Sequence, residues 1–173
     1  MPQLLALLVP SIAASPVRAD DPCTGFVWDV SHERALFATE ASALAAGALV
    51  ASSPALVPDR LYELRLSARP DVSFAVAPGK ETLADGTYAG LALVTVETAG
   101  VYRISLDQSS WLDVAVNGAL IHSKDFQGRP GCNAPHKIVE FSLPQGIPLL
   151  LQFSAAASPA VKVAITRQPV PVP

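Results

Sequence analysis

An all-β fold, an antiparallel β-sandwich or jelly roll of about eight or nine strands with one short N-terminal helix, is what this sequence predicts. Three observations carry the prediction. From Arg60 onward apolar residues recur with period two, the signature of half-buried strands. The periodic runs are separated by turn signals such as Ala99-Gly100, Asn117-Gly118, Pro130-Gly131 and Pro144-Gln145-Gly146. The 173 residues are 50% hydrophobic and only 16% charged, enough apolar material for one domain with a real core and too much for a disordered chain.

Residues 1–19, "MPQLLALLVPSIAASPVRA", read as a secretory signal. The apolar stretch over residues 4–14 is shorter than the roughly 20 residues a membrane span needs, and Val17-Arg18-Ala19 offers a cleavage point before Asp20. The n-region has no Lys or Arg. The mature chain is thus expected to have no transmembrane segment and to be periplasmic or secreted. Cys23, preceded by Asp20-Asp21-Pro22, does not fit a lipoprotein cleavage site.

Cys23 and Cys132 are the only cysteines. An oxidising compartment would let them pair and staple the N-terminus to the body of the sheet; the alternative is two separate buried thiols. "GFVWDVSHERALFATEA" contains the one convincing helix start, with Ser31 as N-cap, Glu33 in the first turn and an apolar patch of Leu36 and Phe37. "SALAAGALVASSPALVPD" reads as a weak strand and a surface connection. The strands follow: "LYELRLSA", "VSFAVA", the longer, almost wholly apolar or small "TYAGLALVTVETAG", "VYRISLD", "WLDVAV", "ALIHSKD", "KIVEFSL", "PLLLQFS" and "AVKVAIT". A single domain over 20–167 results, followed by a disordered tail, 168–173, ending in "QPVPVP".

Asn117-Gly118 is the strongest local signal, because a two-residue type I′ turn needs positive φ at both positions. It pairs Val116 with Ala119, Val114 with Ile121, Asp113 with His122 and Trp111 with Lys124. The preceding hairpin, "VYRISLD" with "WLDVAV", is pinned by hydrophobic alternation, so Tyr102, Ile104 and Leu106 share the core face with Leu112, Val114 and Val116. Ser105 then neighbours Asp113, with Arg103 diagonal to it. The opposite face gathers Arg103, Ser105, Asp107, Trp111, Asp113, His122 and Lys124 into one patch.

Two readings of the patch compete. An indole flanked by carboxylate, imidazole and guanidinium suits a sugar, whose C–H face stacks on the ring while polar groups bind hydroxyls. This makes Trp111, Asp113, Arg103 and His122 the candidate ligand-binding residues. Alternatively Asp113 simply pairs with His122 and Arg103, and Trp111 lies beneath the N-terminal segment against Phe26, Trp28 or Phe37.

Other chemistry finds little support. The net charge of −3 and scattered Lys and Arg argue against nucleic acid. His122, His136 and Glu140 are conceivable iron ligands. However, His136 and Glu140 stand four apart in a strand, about 13 Å along the backbone. No G-x-S-x-G elbow occurs. "APGKET" lacks the full phosphate loop and reads as a turn. Asp107 and Asp113 have no feature marking them as a glycosidase pair. No metal, cofactor or catalytic residue is expected.

Cys23-Thr24-Gly25-Phe26-Val27-Trp28, Glu33-Arg34-Ala35, Gly100 to Leu106, Trp111-Leu112-Asp113, Cys132 to Phe141 and Leu149 to Ala155 form an ordered set. In it the chain resembles a family of small exported bacterial β-sandwich proteins without an established activity. Members have carried the label homogentisate 1,2-dioxygenase, which implies an Fe(II)-dependent ring-cleaving oxidoreductase as the alternative. The clustered His and Glu ligands of that larger, cupin-type enzyme have no counterpart motif here. The "GVYRISL" strand and "VNG" turn also look like the middle of protective-antigen-type and carbohydrate-binding jelly rolls, without their calcium-binding Asp-Asp motif; this likeness is one of fold. The expectation is a non-catalytic exported binding or interaction module for a carbohydrate or cell-envelope protein partner.

Overall fold

A computed structural model of the protein describes residues 21–81 and 84–169. The expected leader, its cleavage point and residues 170–173 of the expected tail lie outside the described residues. Helix α1 (Ser31–Phe37) is followed by twelve strands: β1 (Ser42–Ala45), β2 (Ala55–Leu56), β3 (Leu61–Arg65), β4 (Ser67–Ala68), β5 (Tyr88–Val94), β6 (Gly100–Leu106), β7 (Trp111–Val116), β8 (Ala119–Ile121), β9 (Ser123–Gly128), β10 (Lys137–Leu143), β11 (Leu149–Ala156) and β12 (Ala160–Arg167). They form two facing sheets, β1-β3-β12-β6-β10-β9 and β2-β5-β11-β7-β8, with β4 added beside β5. We call these the first and second sheets. The expected sandwich is present. The short β1 and β2 join it through parallel pairings, so each sheet is mixed.

The pairings β3–β12, β5–β11, β6–β10 and β7–β8 are all antiparallel. They are the successive rungs of one long hairpin rolled up so that its rungs alternate between sheets, which is a jelly roll. Its tip is the bend at Asn117 (φ 49°) and Gly118 (φ 77°), both in the left-handed region as a type I′ turn requires. From β5 to β12, only the turn at 117–118 and the 129–136 loop join neighbours within one sheet. Every other link crosses the sandwich.

That topology corrects the predicted hairpin of β6 with β7. They lie in different sheets, and the link between them passes from one layer to the other. The local alternation was read correctly. Leu64, Ile104, Val114, Phe141, Leu151 and Phe153 all turn inward into one fully buried core. Each such side chain contributes about 1.5–3 kcal/mol of transfer free energy, most of it offset by conformational entropy.

Two segments cover the outer faces. The N-terminal stretch is tied to the body by a Cys23–Cys132 disulfide across a sequence separation of 109. It passes the edge strand β9, where Val27 N–H donates to Gln127 Oε1 (2.9 Å), and then lays α1 on the first sheet. Ser31 is not the cap of α1; it is the first helical residue, and its N–H is taken by Asp29 Oδ1 (2.9 Å). Gln168, assigned from sequence to a disordered tail, bonds Val101 O through its backbone (2.8 Å) and Glu33 through its side chain (3.2 Å).

The predicted strand "VSFAVA" is instead a strap over the second sheet. Its alternation survives: Val72, Phe74 and Val76 pack on Ala89, Leu91, Ala115 and Leu150, forming a second small core. Its backbone is held by a side chain rather than a strand. The fully buried Gln152 accepts from Ala75 N–H and Val76 N–H (both 3.1 Å) and donates to Val76 O (2.9 Å). This cover explains why β5 is apolar on both faces.

Candidate ligand-binding cleft

The four residues singled out from sequence do not form one patch. Arg103 points outward from the first sheet, whereas Trp111 and Asp113 point outward from the second, on the other side of the molecule. Arg103 is 7% exposed and fully engaged. It donates to Glu140 Oε1 (2.9 Å) and to Asp29 O (2.7 Å), lies 3.7 Å from the buried Glu33 carboxylate, and stacks 4.5 Å from the Trp28 ring. It is the pin beneath the N-terminal segment, and the aromatic residue packed there is Trp28, not Trp111. Thr166 Oγ1 completes the cluster by donating to Glu33 (2.7 Å).

His122 also leaves the predicted site. The β7–β8 register runs as expected through Val116↔Ala119 and Val114↔Ile121, then stops. At the exposed His122 the chain swings from the second sheet to the first, so neither the Asp113–His122 pair nor the Trp111–Lys124 pair forms. The rolled topology demands this corner, because β9 must reach β10.

Trp111 and Asp113 do come together, two residues apart on one face of β7. The indole Nε1–H donates to Asp113 Oδ1 (3.0 Å), and Asp113 Oδ2 accepts from Gly79 N–H of the strap (3.0 Å). Both carboxylate oxygens and the indole N–H are therefore spent inside the protein. Gly79 is required by closeness: a Cβ there would stand 2.9 Å from Asp113 Oδ1. The result is an indole of fixed orientation that offers its ring and none of its polar atoms.

Trp111, 36% exposed as a residue, borders a cleft of about 140 Å³ lined by Trp111, Leu112, Ser123, Phe126, Lys137 and Val139. The cleft exists because of the corner at His122. Phe126 pairs with Val139 at the inner side of β9, but β8 has already departed with the second sheet, leaving Phe126 65% exposed. Leu112 and Val139, facing each other from the two sheets, form the apolar floor.

Two ammonium groups reach the indole. Lys80 Nζ lies 5.9 Å and Lys137 Nζ 5.6 Å from its centroid. Lys137 opens β10 at a position whose partner is the core residue Leu106, and its Nζ spans the sheets to donate to Ser110 O (2.9 Å). Burial holds its pKa below the ordinary lysine value, the charge of Lys80 lowers it further, and Asp113 offsets part of this. Sequence reasoning missed Lys80, Phe126 and Lys137. Lys137 left one signal: a charge at the core-facing parity of "KIVEFSL".

The residues do not fit an iron centre. Glu140 is committed to Arg103, His136 Nδ1 sits 3.1 Å from Cys132 O, and His32 pairs with Asp59 (2.8 Å). Among the described residues no three His, Cys, Asp or Glu side chains converge on a common point. Nor is any helix among them long and apolar enough to cross a membrane. Comparison with protein-family models, with curated proteins and with solved structures found no match for this chain.

Proposed function

We propose that this chain is a non-catalytic, exported β-sandwich module of the cell envelope that binds a carbohydrate on the Trp111–Phe126 cleft. The observation that carries the reading is an open, aromatic-walled cleft whose indole is locked in place by bonds made entirely within the protein. A ring held by Asp113 and the strap costs little further ordering when a ligand stacks on it. Its apolar surface suits the C–H face of a sugar, and the Ser123 hydroxyl suits a sugar hydroxyl. The lining offers a stacking surface with one ammonium group, Lys137, not an acid–base pair set for proton transfer. Export is supported by the leader-like residues 1–19 and by the Cys23–Cys132 bridge, which persists in oxidising compartments.

Of the four residues assigned from sequence, Trp111 remains a contact residue and Asp113 becomes the residue that positions it. Arg103 serves the fold, and His122 has no place in this reading. The test is a glycan panel read by fluorescence in a Trp28→Phe background, where Trp111 is the sole indole. Binding should perturb that emission, and affinity measured by titration calorimetry should fall at least about ten-fold in Trp111→Ala and in Phe126→Ala, with melting temperatures close to the parent. Binding that survives both substitutions, or its absence across the panel, removes the reading.

A further inference from the structure

Positive charge gathers at the Trp111 wall of the cleft without an acid to neutralise it. Lys137 of the lining and Lys80 of the neighbouring exposed segment stand 5.6 and 5.9 Å from one indole centroid, yet no carboxylate among the described residues comes within ion-pair distance of either ammonium. Asp113 is the nearby acid, and its two oxygens already hold the indole and Gly79. Lys137 in addition is half-buried, and among the described residues its ammonium bonds only a backbone carbonyl. Two like charges beside an apolar floor repel, and water screens them poorly where it is partly excluded. An anion placed between them relieves that repulsion and gains charge-assisted hydrogen bonds from both.

The shape of the remaining surface says what the anion is attached to. Trp111 and Phe126 supply the aromatic lining, Leu112 and Val139 the apolar floor, and Ser123 a hydroxyl. A volume of about 140 Å³ admits one ring-sized group rather than a long segment. We infer that the cleft takes an acidic saccharide, one sugar ring stacked on Trp111 and Phe126 with its carboxylate or sulfate between Lys80 and Lys137. The inference rests on the binding reading above and names the ligand class for the same site. Lysines are compact charges with rotatable donors, so planar carboxylate and tetrahedral sulfate are both accommodated.

Titration calorimetry with a uronate oligosaccharide, its neutral methyl ester and a sulfated counterpart tests this. The uronate or the sulfated glycan should bind about ten-fold tighter than the neutral ester near 0.05 M salt, with the preference shrinking toward about 0.5 M. Whichever acid binds better identifies the anion. A Lys80→Gln/Lys137→Gln protein should lose the preference while still binding the ester. Lys80→Gln alone, on the exposed strap, should reduce it and serves if the Lys137 change impairs folding. Equal affinity for acid and ester, lost together in Trp111→Ala, overturns the acidic ligand and leaves the binding module standing. No binding of any saccharide, neutral or acidic, overturns both.

Discussion

Replacing Arg103 with methionine should destabilise this protein more than any change in the cleft. Methionine keeps an apolar stem of similar length but removes the guanidinium that satisfies three elements at once. Glu140 of β10 loses its 2.9 Å partner, Asp29 O loses a 2.7 Å donor, and Glu33, 1% exposed, loses its nearby cation. Removing one member of a buried ion pair costs about 3–5 kcal/mol, because the partner charge stays buried without compensation. The contact with Trp28 at 4.5 Å is worth about 1–2 kcal/mol when desolvated, and it overlaps with that figure rather than adding to it. Against a typical total of about 5–15 kcal/mol the loss is large. For a domain of this size it corresponds to a melting temperature lower by roughly 6–20 °C. Urea unfolding monitored by circular dichroism measures it. Adding Glu33→Gln to Arg103→Met should restore about 1–2 kcal/mol, since the amide oxygen still accepts from Thr166 and Gln168 without burying a charge. A loss below about 1 kcal/mol for Arg103→Met, or further destabilisation by the second change, would refute the argument that burial makes this cluster costly to break.

Gln152→Ala should release the strap by removing three hydrogen bonds, at a cost of about 2–4 kcal/mol, with faster amide exchange at residues 75, 76 and 79. Unchanged exchange there would show that Val72, Phe74 and Val76 hold the strap alone. Burial raises the Asp107 carboxyl above its ordinary value of 3.8, with the backbone N–H groups of Lys162 and Asp107 opposing. The folded state therefore holds this proton more tightly than the unfolded chain. Its stabilising contribution is complete below pH 3.8 and is lost as pH rises through the raised value. Asp107→Asn should consequently gain stability relative to the parent across that window and level off above it, which pH-dependent melting will show. Protein purified with iron present should carry far less than one equivalent by elemental analysis. A full equivalent lost in His122→Ala or His136→Ala would instead restore the dioxygenase alternative.

The cleft was half legible beforehand, and the reason lies in what alternation encodes. Period two assigned Leu112, Val114 and Val116 to the core and turned Trp111 and Asp113 outward, as found. It is silent about which sheet a strand joins. The predicted patch required "VYRISLD" and "WLDVAV" to be neighbours in one sheet, but a rolled hairpin places such consecutive strands in opposite layers. Arg103 and Asp113 both obey the outward rule and end on opposite sides. Lys80 was passed over because a turn lysine carries no periodic signal, and Phe126 because its strand is an exposed edge. The strap was mistaken for a strand because Val72, Phe74 and Val76 alternate just as strand residues do. The hydrogen-bond partner of the strap backbone at Ala75 and Val76 is Gln152, 77 and 76 residues later.

Read alone, the chain determined what depends on neighbours in sequence: the period of the core strands, the tight bend at Asn117-Gly118 and a short helix starting near Ser31. These follow from backbone sterics and from side-chain burial on one face, both local. Tertiary structure alone decided that Arg103 meets Glu33 and Trp28, that Asp113 is spent on Gly79 and Trp111, and that two lysines close on one indole. Those contacts join segments far apart along the chain. The order in which the rolled strands stack brings them together, and no residue's own preference specifies that order.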